Sequence, residues 1–497
     1  MSLKARLALL LAKWQNKKLE KWKNNPIEAQ NKVFKTLISK AKRTQFGKDH
    51  AFETIQTIEQ FQAQVPVRTY VDFQEYIQDI IEGKSDVLWP KKPLYFAKTS
   101  GTTAGAKYIP LTKSSLKNQI DAAKMALFNY IHQSQNSDYV DGKMIFLQGS
   151  PEVDHSKAVP SGRLSGIVAN FVPKYLQKNR LPSYKTNCIE DWETKVETIV
   201  EETKTQDMTL ISGIPSWVQM YFEKLIEKTG EKDIKSLFPN FKLFVYGGVN
   251  YEPYRQKFLQ LIGEDVDSIE LFPASEGFFA FQDLQSKKEM LLLLDSGIFY
   301  EFIPTSELSQ EHPTRLTIKD VEVGVDYALI ISTDAGLWSY SIGDLVRFTS
   351  TSPYRIVVSG RIKHFTSAFG EHVIAYEVEQ AIQAGIKDHN LRVREFHVAP
   401  EVNPESGLPY HEWFIEFDEK PENIQQIAQT IDLKMQSLNP YYLDLRAGNI
   451  LKELKITPLQ PNSFEDYMKS QGKLGGQNKI PRLANDRKIA DHLSKFT

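Results

Sequence analysis

The sequence predicts an α/β protein: a large α/β body carrying a small β-barrel-like subdomain, followed by a smaller α+β domain. Two observations on texture carry this expectation. Apolar runs of strand length alternate with stretches of helical period from about 94 to 262, the rhythm of layered α/β packing. Between about 290 and 360 the alternation gives way to short β-rich runs and turn clusters, which read as antiparallel sheet. Length is the third observation: 497 residues exceed what one hydrophobic core supports, so two or three domains are expected.

The elements follow in order. The first 46 residues read as helical, and Leu7, Leu10, Leu11, Trp14, Leu19 and Trp22 form an apolar stripe expected to pack on the body. Pro26, after Asn24-Asn25, opens a second helix with Val33, Phe34, Leu37 and Ile38 on one face. Leu94-Tyr95-Phe96-Ala97 is a short strand running into Thr99-Ser100-Gly101-Thr102-Thr103-Ala104-Gly105-Ala106-Lys107. Thr112 is the expected N-cap of the next helix, where Leu116, Ile120, Ala123, Leu127 and Ile131 recur at helical spacing. Strands are expected over 144–147, 210–211 and 243–246, the last two each ahead of a helix. The β-rich part holds strands over 298–302, 328–332, 345–348 and 355–358, with Asp334-Ala335-Gly336 as a turn. After Gly360 come a helix over 375–386, strands over 393–398 and 413–417, and a helix over 424–438. The expected domains are therefore 1–358 and 365–497, with 359–364 as the hinge. No internal repeat of fixed period and no low-complexity tract is present.

Composition limits the function classes. Hydrophobic residues make up 41% and charged residues 25%, the balance of a soluble globular protein. Against 61 basic stand 62 acidic side chains, so there is no global electrostatic reason to bind nucleic acid or an anionic membrane. The apolar run 7–12 is followed by Lys13, Lys17 and Lys18 instead of a small-residue cleavage site, and it is far too short to span a bilayer. Neither a signal peptide nor membrane insertion is expected. The one cysteine, Cys188, cannot form an internal disulfide, which fits a reducing cytoplasm. Its neighbours supply no activating partner, so a structural role is expected.

Five constellations could carry chemistry. The nine residues 99–107 pack glycines, hydroxyl side chains and a lysine behind a strand, where backbone N–H groups can converge on an anion. This is not a Walker loop: counted from Gly101, that motif needs glycine where Ala106 stands and Ser or Thr where Tyr108 stands. The second is Leu271-Phe272-Pro273-Ala274-Ser275-Glu276-Gly277, after the apolar run 269–272. In the third, Tyr340-Ser341-Ile342-Gly343-Asp344, the aspartate could accept both hydroxyls of a ribose, although isolated Gly-Asp pairs are usually turns. The fourth is Gly360-Arg361-Ile362-Lys363, followed by Gly370 and Glu377-Val378-Glu379. The fifth is Gly475-Gly476-Gln477-Asn478-Lys479-Ile480-Pro481-Arg482. Singly, only the first rises above an ordinary loop.

In this order the five resemble the motifs of the adenylate-forming superfamily of acyl-CoA synthetases, luciferases and peptide-synthetase adenylation domains. Pro66-Val67-Arg68-Thr69-Tyr70, Ser212-Gly213-Ile214-Pro215-Ser216-Trp217, Tyr441-Tyr442-Leu443-Asp444-Leu445-Arg446 and the stretch 476–482 narrow this further. With Phe46-Gly47-Lys48 and Leu88-Trp89-Pro90, they resemble the Gretchen Hagen family of acyl acid–amido synthetases over essentially the whole chain. Plant members conjugate amino acids to hormone-like carboxylic acids. The resemblance implies a multi-sheet N-terminal domain for ATP and acyl acid, and a mobile C-terminal domain that brings the catalytic lysine. Ser100, Gly101, Thr102, Thr103 and Lys107 would form the phosphate loop. Gly247 and Gly248 would make one face of the adenine slot and Phe272 the other. Ser275 would contact phosphate and Glu276 would hold Mg2+. Asp344 would bind the ribose with help from Arg361, and Lys479 would bridge carboxylate and α-phosphate. Plant members often carry a second basic residue in the loop after the hinge; Glu371-His372 stands there instead, which leaves the role of His372 open.

The implied chemistry needs no catalytic cysteine or serine triad. A carboxylate attacks the α-phosphorus of ATP, pyrophosphate leaves, and a neutral amine then displaces AMP from the acyl adenylate, so catalysis is positioning and charge stabilisation. The expected partners are a small carboxylic acid and an amine, most readily an amino acid. Two alternatives stand beside this reading. One is an acyl-CoA ligase sharing the first half-reaction; the other is a non-catalytic nucleotide-binding protein, which would need neither Glu276 nor Lys479. Trp217, Met220 and Tyr221 could line an acyl pocket, though side chains at such helical spacing are more often plain core.

Overall fold

The computed structural model describes residues 2–99, 107–171, 177–189, 191–248, 251–308, 310–362, 365–366, 369, 373–387, 391–401, 404–447, 451–472, 480–484 and 486–497. The chain divides into two compact units. The first holds residues 1–249, 261–342 and 346–357; the second holds 250–260, 343–345 and 358–497.

The first unit opens with two helices, α1 (Leu3–Lys23) and α2 (Pro26–Ala41). Proline sits in the first turn of α2, where its missing N–H costs nothing. Helix α1 buries only the second half of the face expected of it, Leu19 and Trp22. Ala5, Ala12, Asn16, Leu19 and Trp22 face inward, whereas Leu7, Leu10, Leu11 and Trp14 are each at least half exposed, Leu10 at 67%. The reason is close approach to the helix Lys113–Ser134, on which α1 lies. Alanines at 5 and 12 let the two backbones come near, and Ser137 Oγ donates to the carbonyl of Ala5 at 3.0 Å.

The strands are β1 (Tyr95–Thr99), β2 (Lys107–Leu111), β3 (Lys143–Phe146), β4 (Val153–Asp154), β5 (Ser161–Gly162), β6 (Arg180–Leu181), β7 (Met208–Ser212), β8 (Leu243–Gly247), β9 (Asp267–Ala274), β10 (Gly277–Phe281), β11 (Met290–Leu292), β12 (Ile298–Pro304), β13 (Asp326–Thr333), β14 (Tyr340–Thr351) and β15 (Tyr354–Arg361). Strands β2, β1, β5 and β4 form a four-stranded sheet in that order. The main sheet has the order β12-β13-β14-β15-β11-β10-β9-β8-β7-β3-β6. The antiparallel strands placed by sequence in a separate barrel-like subdomain therefore belong to the same sheet as the parallel ones. Strand β9 makes the join: one edge pairs parallel with β8, the other antiparallel with β10. Thr112 caps the helix Lys113–Ser134 as expected, in a reciprocal capping box with Ser115.

The second unit is α+β. Beyond the short pair β16 (Phe365–Thr366) and β17 (Val373–Ile374), strands β18 (Val393–Glu401), β19 (Tyr410–Phe417) and β20 (Lys455–Leu459) form its sheet, with β19 central. The helices Ala375–Lys387 and Ile424–Leu438 pack on it through a core that includes Val378, Ile382, Val398, Trp413, Ile431 and Met435. The elements expected after Gly360 are all present.

Candidate active site

Parallel strands β3, β7, β8 and β9 run in register: Phe146 lies beside Ser212, Ser212 beside Val245, and Gly247 beside Leu271. Their carboxyl ends therefore form one edge, the place where open α/β sheets bind ligands. Leu147-Gln148-Gly149, Gly213-Ile214, Gly247-Gly248 and Ser275-Glu276 stand at the ends of these strands. This edge gathers four of the residues singled out from sequence: Gly247, Gly248, Ser275 and Glu276, with Phe272 on β9 just before them.

Local geometry explains the residue types. A Cβ on Gly247 would meet the carbonyl oxygen of Leu271 at 2.5 Å, and Gly248 has φ +78°, a conformation that favours glycine. The backbone can thus present its own groups at the edge with no side chain in the way. Ala274 pairs with Gly277, so Ser275 and Glu276 are the two residues at the tip of the β9–β10 hairpin, both half-buried. A carboxylate held on a tight hairpin at the strand ends is suited to a hard cation. Among the described residues no cluster of three His, Cys, Asp or Glu side chains gathers. That donor set fits Mg2+, which usually takes only one or two protein carboxylates beside substrate phosphates. Phe272 is buried, with its ring edge-on to Phe279 at 5.0 Å between centroids.

Residues 99–107 join β1 and β2, which pair antiparallel from Tyr95–Leu111 to Thr99–Lys107. The strands flanking the motif are thus antiparallel neighbours, and the helix Lys113–Ser134 begins only after β2. Lys107 stands where β2 starts, with Nζ 5.6 Å from the centroid of the Tyr70 ring. Ser100, Gly101, Thr102 and Thr103 lie outside the described residues.

In the second unit, Asp344 and Arg361 meet across β14 and β15, with Arg361 Nε 2.6 Å from Asp344 Oδ1. Asp344 is buried while the Arg361 side chain is 59% exposed. Gly343 has φ +87°, and its carbonyl accepts from the Ile362 N–H at 2.7 Å. Lys479 and His372 lie outside the described residues, but the chain just after Lys479 is firmly tied. Arg482 Nη1 bonds Glu379 Oε1 at 2.7 Å and its Nε bonds Glu395 Oε1 at 3.2 Å. His397 Nδ1 bonds the Pro481 carbonyl at 2.6 Å. Burial lowers the imidazole of His397 to about 4, so the neutral ring donates from Nδ1. The fourth and fifth sequence motifs, through Glu379 and Arg482, are thereby joined.

Other side chains resolve simply. Tyr221 is fully buried and its hydroxyl meets Thr203 Oγ1 at 2.7 Å, which makes it core. Burial pushes the Cys188 thiol up, away from thiolate chemistry. One group went unnoticed in sequence: Arg163, Arg180 and Lys195 all reach Gln148-Gly149 at the carboxyl end of β3. No spacing pattern links them, because they come from a helix cap, a two-residue strand and the first turn of the helix Trp192–Thr203.

Comparison with known proteins bears on this architecture. The GH3 family N-terminal domain matches residues 15–266, the GH3 family central domain matches 291–361, and the GH3 family C-terminal domain matches 376–488. The indole-3-acetic acid-amido synthetase GH3.4 of Arabidopsis thaliana is 21% identical, over 96% of this chain and 94% of its own. Among solved structures, the AtGH3.15 acyl acid amido synthetase in complex with 2,4-DB superposes with a TM-score of 0.81 at 16% identity, covering 98% of this chain and 96% of that one. A 2-hydroxyisobutyryl-CoA ligase in its postadenylation state gives a TM-score of 0.63 at 13% identity, covering 94% and 91%.

Proposed function

This chain belongs to the GH3 family and is an amido synthetase of the adenylate-forming kind, and from that premise we propose how its residues divide the work. The enzyme activates a carboxylic acid as its acyl adenylate and conjugates it to an amino acid. The observation that carries our reading is the shared edge at the carboxyl ends of β3, β7, β8 and β9, where Gly247-Gly248 end β8 and Ser275-Glu276 form the hairpin tip beyond the neighbouring β9.

In this reading ATP lies along that edge. Gly247 and Gly248 offer a flat backbone face to adenine, with Phe272 forming the opposing wall from the strand beside it. Ser100, Gly101, Thr102, Thr103 and Lys107, where β1 leads to β2, hold the phosphates. Ser275 bonds a phosphate oxygen, and Glu276 would hold Mg2+, which would supply positive charge against that of the pyrophosphate. Asp344 accepts the ribose hydroxyls, with its carboxylate oriented by Arg361. Lys479 bridges the substrate carboxylate and the α-phosphate. Residues 359–364 act as a hinge between an adenylation domain, 1–358, and a C-terminal domain, 365–497, that delivers Lys479. The working compartment is the cytoplasm; no helix among the described residues is long and apolar enough to cross a membrane.

Two steps follow. The acid's carboxylate oxygen attacks the α-phosphorus and pyrophosphate departs, with Lys479 stabilising the added negative charge. The amine nitrogen then attacks the acyl carbonyl, AMP departs, and the amine loses a proton to give the amide. The test is a screen of acid and amino-acid libraries with ATP and Mg2+, read by mass spectrometry, with coenzyme A as a parallel acceptor. An acid-dependent amide is the expected product; a thioester with no amide would replace this reading with that of an acyl-CoA ligase.

A further inference from the structure

The Gln148-Gly149 dipeptide, where the chain leaves β3, is held by three cations. Arg180 Nη2 bonds Gln148 Oε1 at 2.7 Å. Lys195 Nζ bonds the Gln148 carbonyl at 3.0 Å and the Asn187 carbonyl at 2.7 Å. Arg163 lies over Gly149 so closely that a Cβ there would meet Arg163 Cδ at 2.5 Å and Nη1 at 3.2 Å. Lys195 is fully buried, Arg180 half-buried, and Arg163 exposed at the rim. Among the described residues no carboxylate comes within ion-pair distance of any of the three; the oxygens they meet are amide oxygens.

Such a cluster is expensive. Buried charges are normally paired, and like charges at close range repel in a poorly solvated site. The strain shows in the lysine, which burial and the neighbouring Arg163 lower to about 8, and in Arg180, which burial lowers to about 10. Arg180 also lies over the Phe146 ring, 4.5 Å from its centroid, yet among the described residues none of the three cations has a carboxylate partner, and a bound anion would complete them. Their position narrows the anion. Leu147 N–H bonds the Ser212 carbonyl at 2.8 Å, so the cluster continues the same strand-end edge as Gly247 and Glu276. The forks of two arginines suit a planar, bidentate anion.

We propose that Arg163, Arg180 and Lys195 form a carboxylate-binding subsite for a substrate of the amide-forming reaction. This rests on the functional reading above. The carboxylate is either that of the acyl acid before its activation or the α-carboxylate of the amino-acid acceptor. Lys195 sets the depth of the subsite and holds Gln148-Gly149 in place, while Arg163 and Arg180 take the carboxylate from its open side.

The test uses thermal unfolding of the full chain, so it does not depend on turnover. Wild type and the Arg163→Gln/Arg180→Gln variant are titrated with benzoate, L-alanine and ethylamine, the last having alanine's amine without its carboxylate. Lys195 is left intact because its loss would orphan two buried carbonyls. Saturating carboxylate should raise the melting temperature of wild type by about 1–2 °C. Ethylamine should do nothing, and the variant should lose the shift while melting near the wild-type temperature without ligand. A shift with benzoate assigns the subsite to the acid, and one with alanine to the acceptor. The proposal is overturned if neither carboxylate shifts wild type, or if the variant responds as wild type does. Failure of the functional reading is seen separately, as wild type that forms no amide in the library screen.

Discussion

At the scale of single residues, Glu276 and Asp334 are carboxylates in contrasting settings, one half-buried at a hairpin tip and the other buried. Glu276 is at the tip of a hairpin at the strand ends, and in our account it holds Mg2+. Glu276→Gln keeps the shape and removes the charge. Even outer-shell partners of a metal are worth about 10–100-fold, so turnover at saturating ATP should fall at least tenfold. The magnesium titration should shift to higher concentration, and identical titrations would remove Glu276 from the site. Asp334 is buried beside Asn118, whose Nδ2 donates to Oδ2 at 2.9 Å. Burial raises its carboxyl to about 7, against an opposing hydrogen bond from Ser114 and the charge of Lys40. The folded state therefore holds this proton more tightly than the unfolded chain. Its stabilising contribution is complete below about pH 4 and is lost as pH rises toward 7. Asp334→Asn retains an acceptor for Asn118 without a charge to bury. The variant should match wild type near pH 4 and exceed it near pH 8 by about 1–3 kcal/mol in denaturant unfolding. A variant less stable at pH 8 would contradict the assignment.

At the scale of elements, most of the secondary structure was legible because period and capping are local signals. The helix after Thr112, the helices Ala375–Lys387 and Ile424–Leu438, and strands β18 and β19 lie where the pattern puts them. Two matters were not legible, each for a physical reason. Sheet order depends on pairing between distant segments, so β9 joining parallel and antiparallel strands leaves no mark in its own sequence. The inward face of α1 was misjudged in its first half, where Ala5 and Ala12 face the neighbouring helix and Leu7, Leu10, Leu11 and Trp14 do not, while Leu19 and Trp22 are buried as expected. That choice can be tested. Ala12→Leu should overpack the contact with the helix Lys113–Ser134 and cost about 1–3 kcal/mol. Leu10→Lys, on the exposed face, should stay within about 0.5 kcal/mol of wild type. If the lysine variant is the more damaged of the two in denaturant midpoint, the orientation of α1 is wrong. At the candidate site, the glycine and hairpin positions were legible because close backbone approach demands particular residue types, as at Gly247 beside Leu271. The Arg163, Arg180 and Lys195 group was not, since each comes from a different element and only folding brings them to Gln148-Gly149.

At the scale of the whole molecule, the reaction we propose runs in two steps, adenylation and then aminolysis. Lys479→Ala separates those steps. Removing one preorganised charge typically costs about 10²–10³ in rate. Pyrophosphate release should fall by that factor, while single-turnover aminolysis of supplied acyl adenylate should be far less affected. Equal loss in both would defeat a two-state hinge. Beneath these details lies the claim that the bond broken in ATP is the one between the α- and β-phosphates. The most direct measurement supplies ATP labelled at the α-phosphorus, an acid and amino acid found by the library screen, and Mg2+, and separates the products. The account predicts label in AMP, with one pyrophosphate and one amide formed per AMP. Label in ADP, with orthophosphate released, would mean activation through an acyl phosphate and would contradict the account.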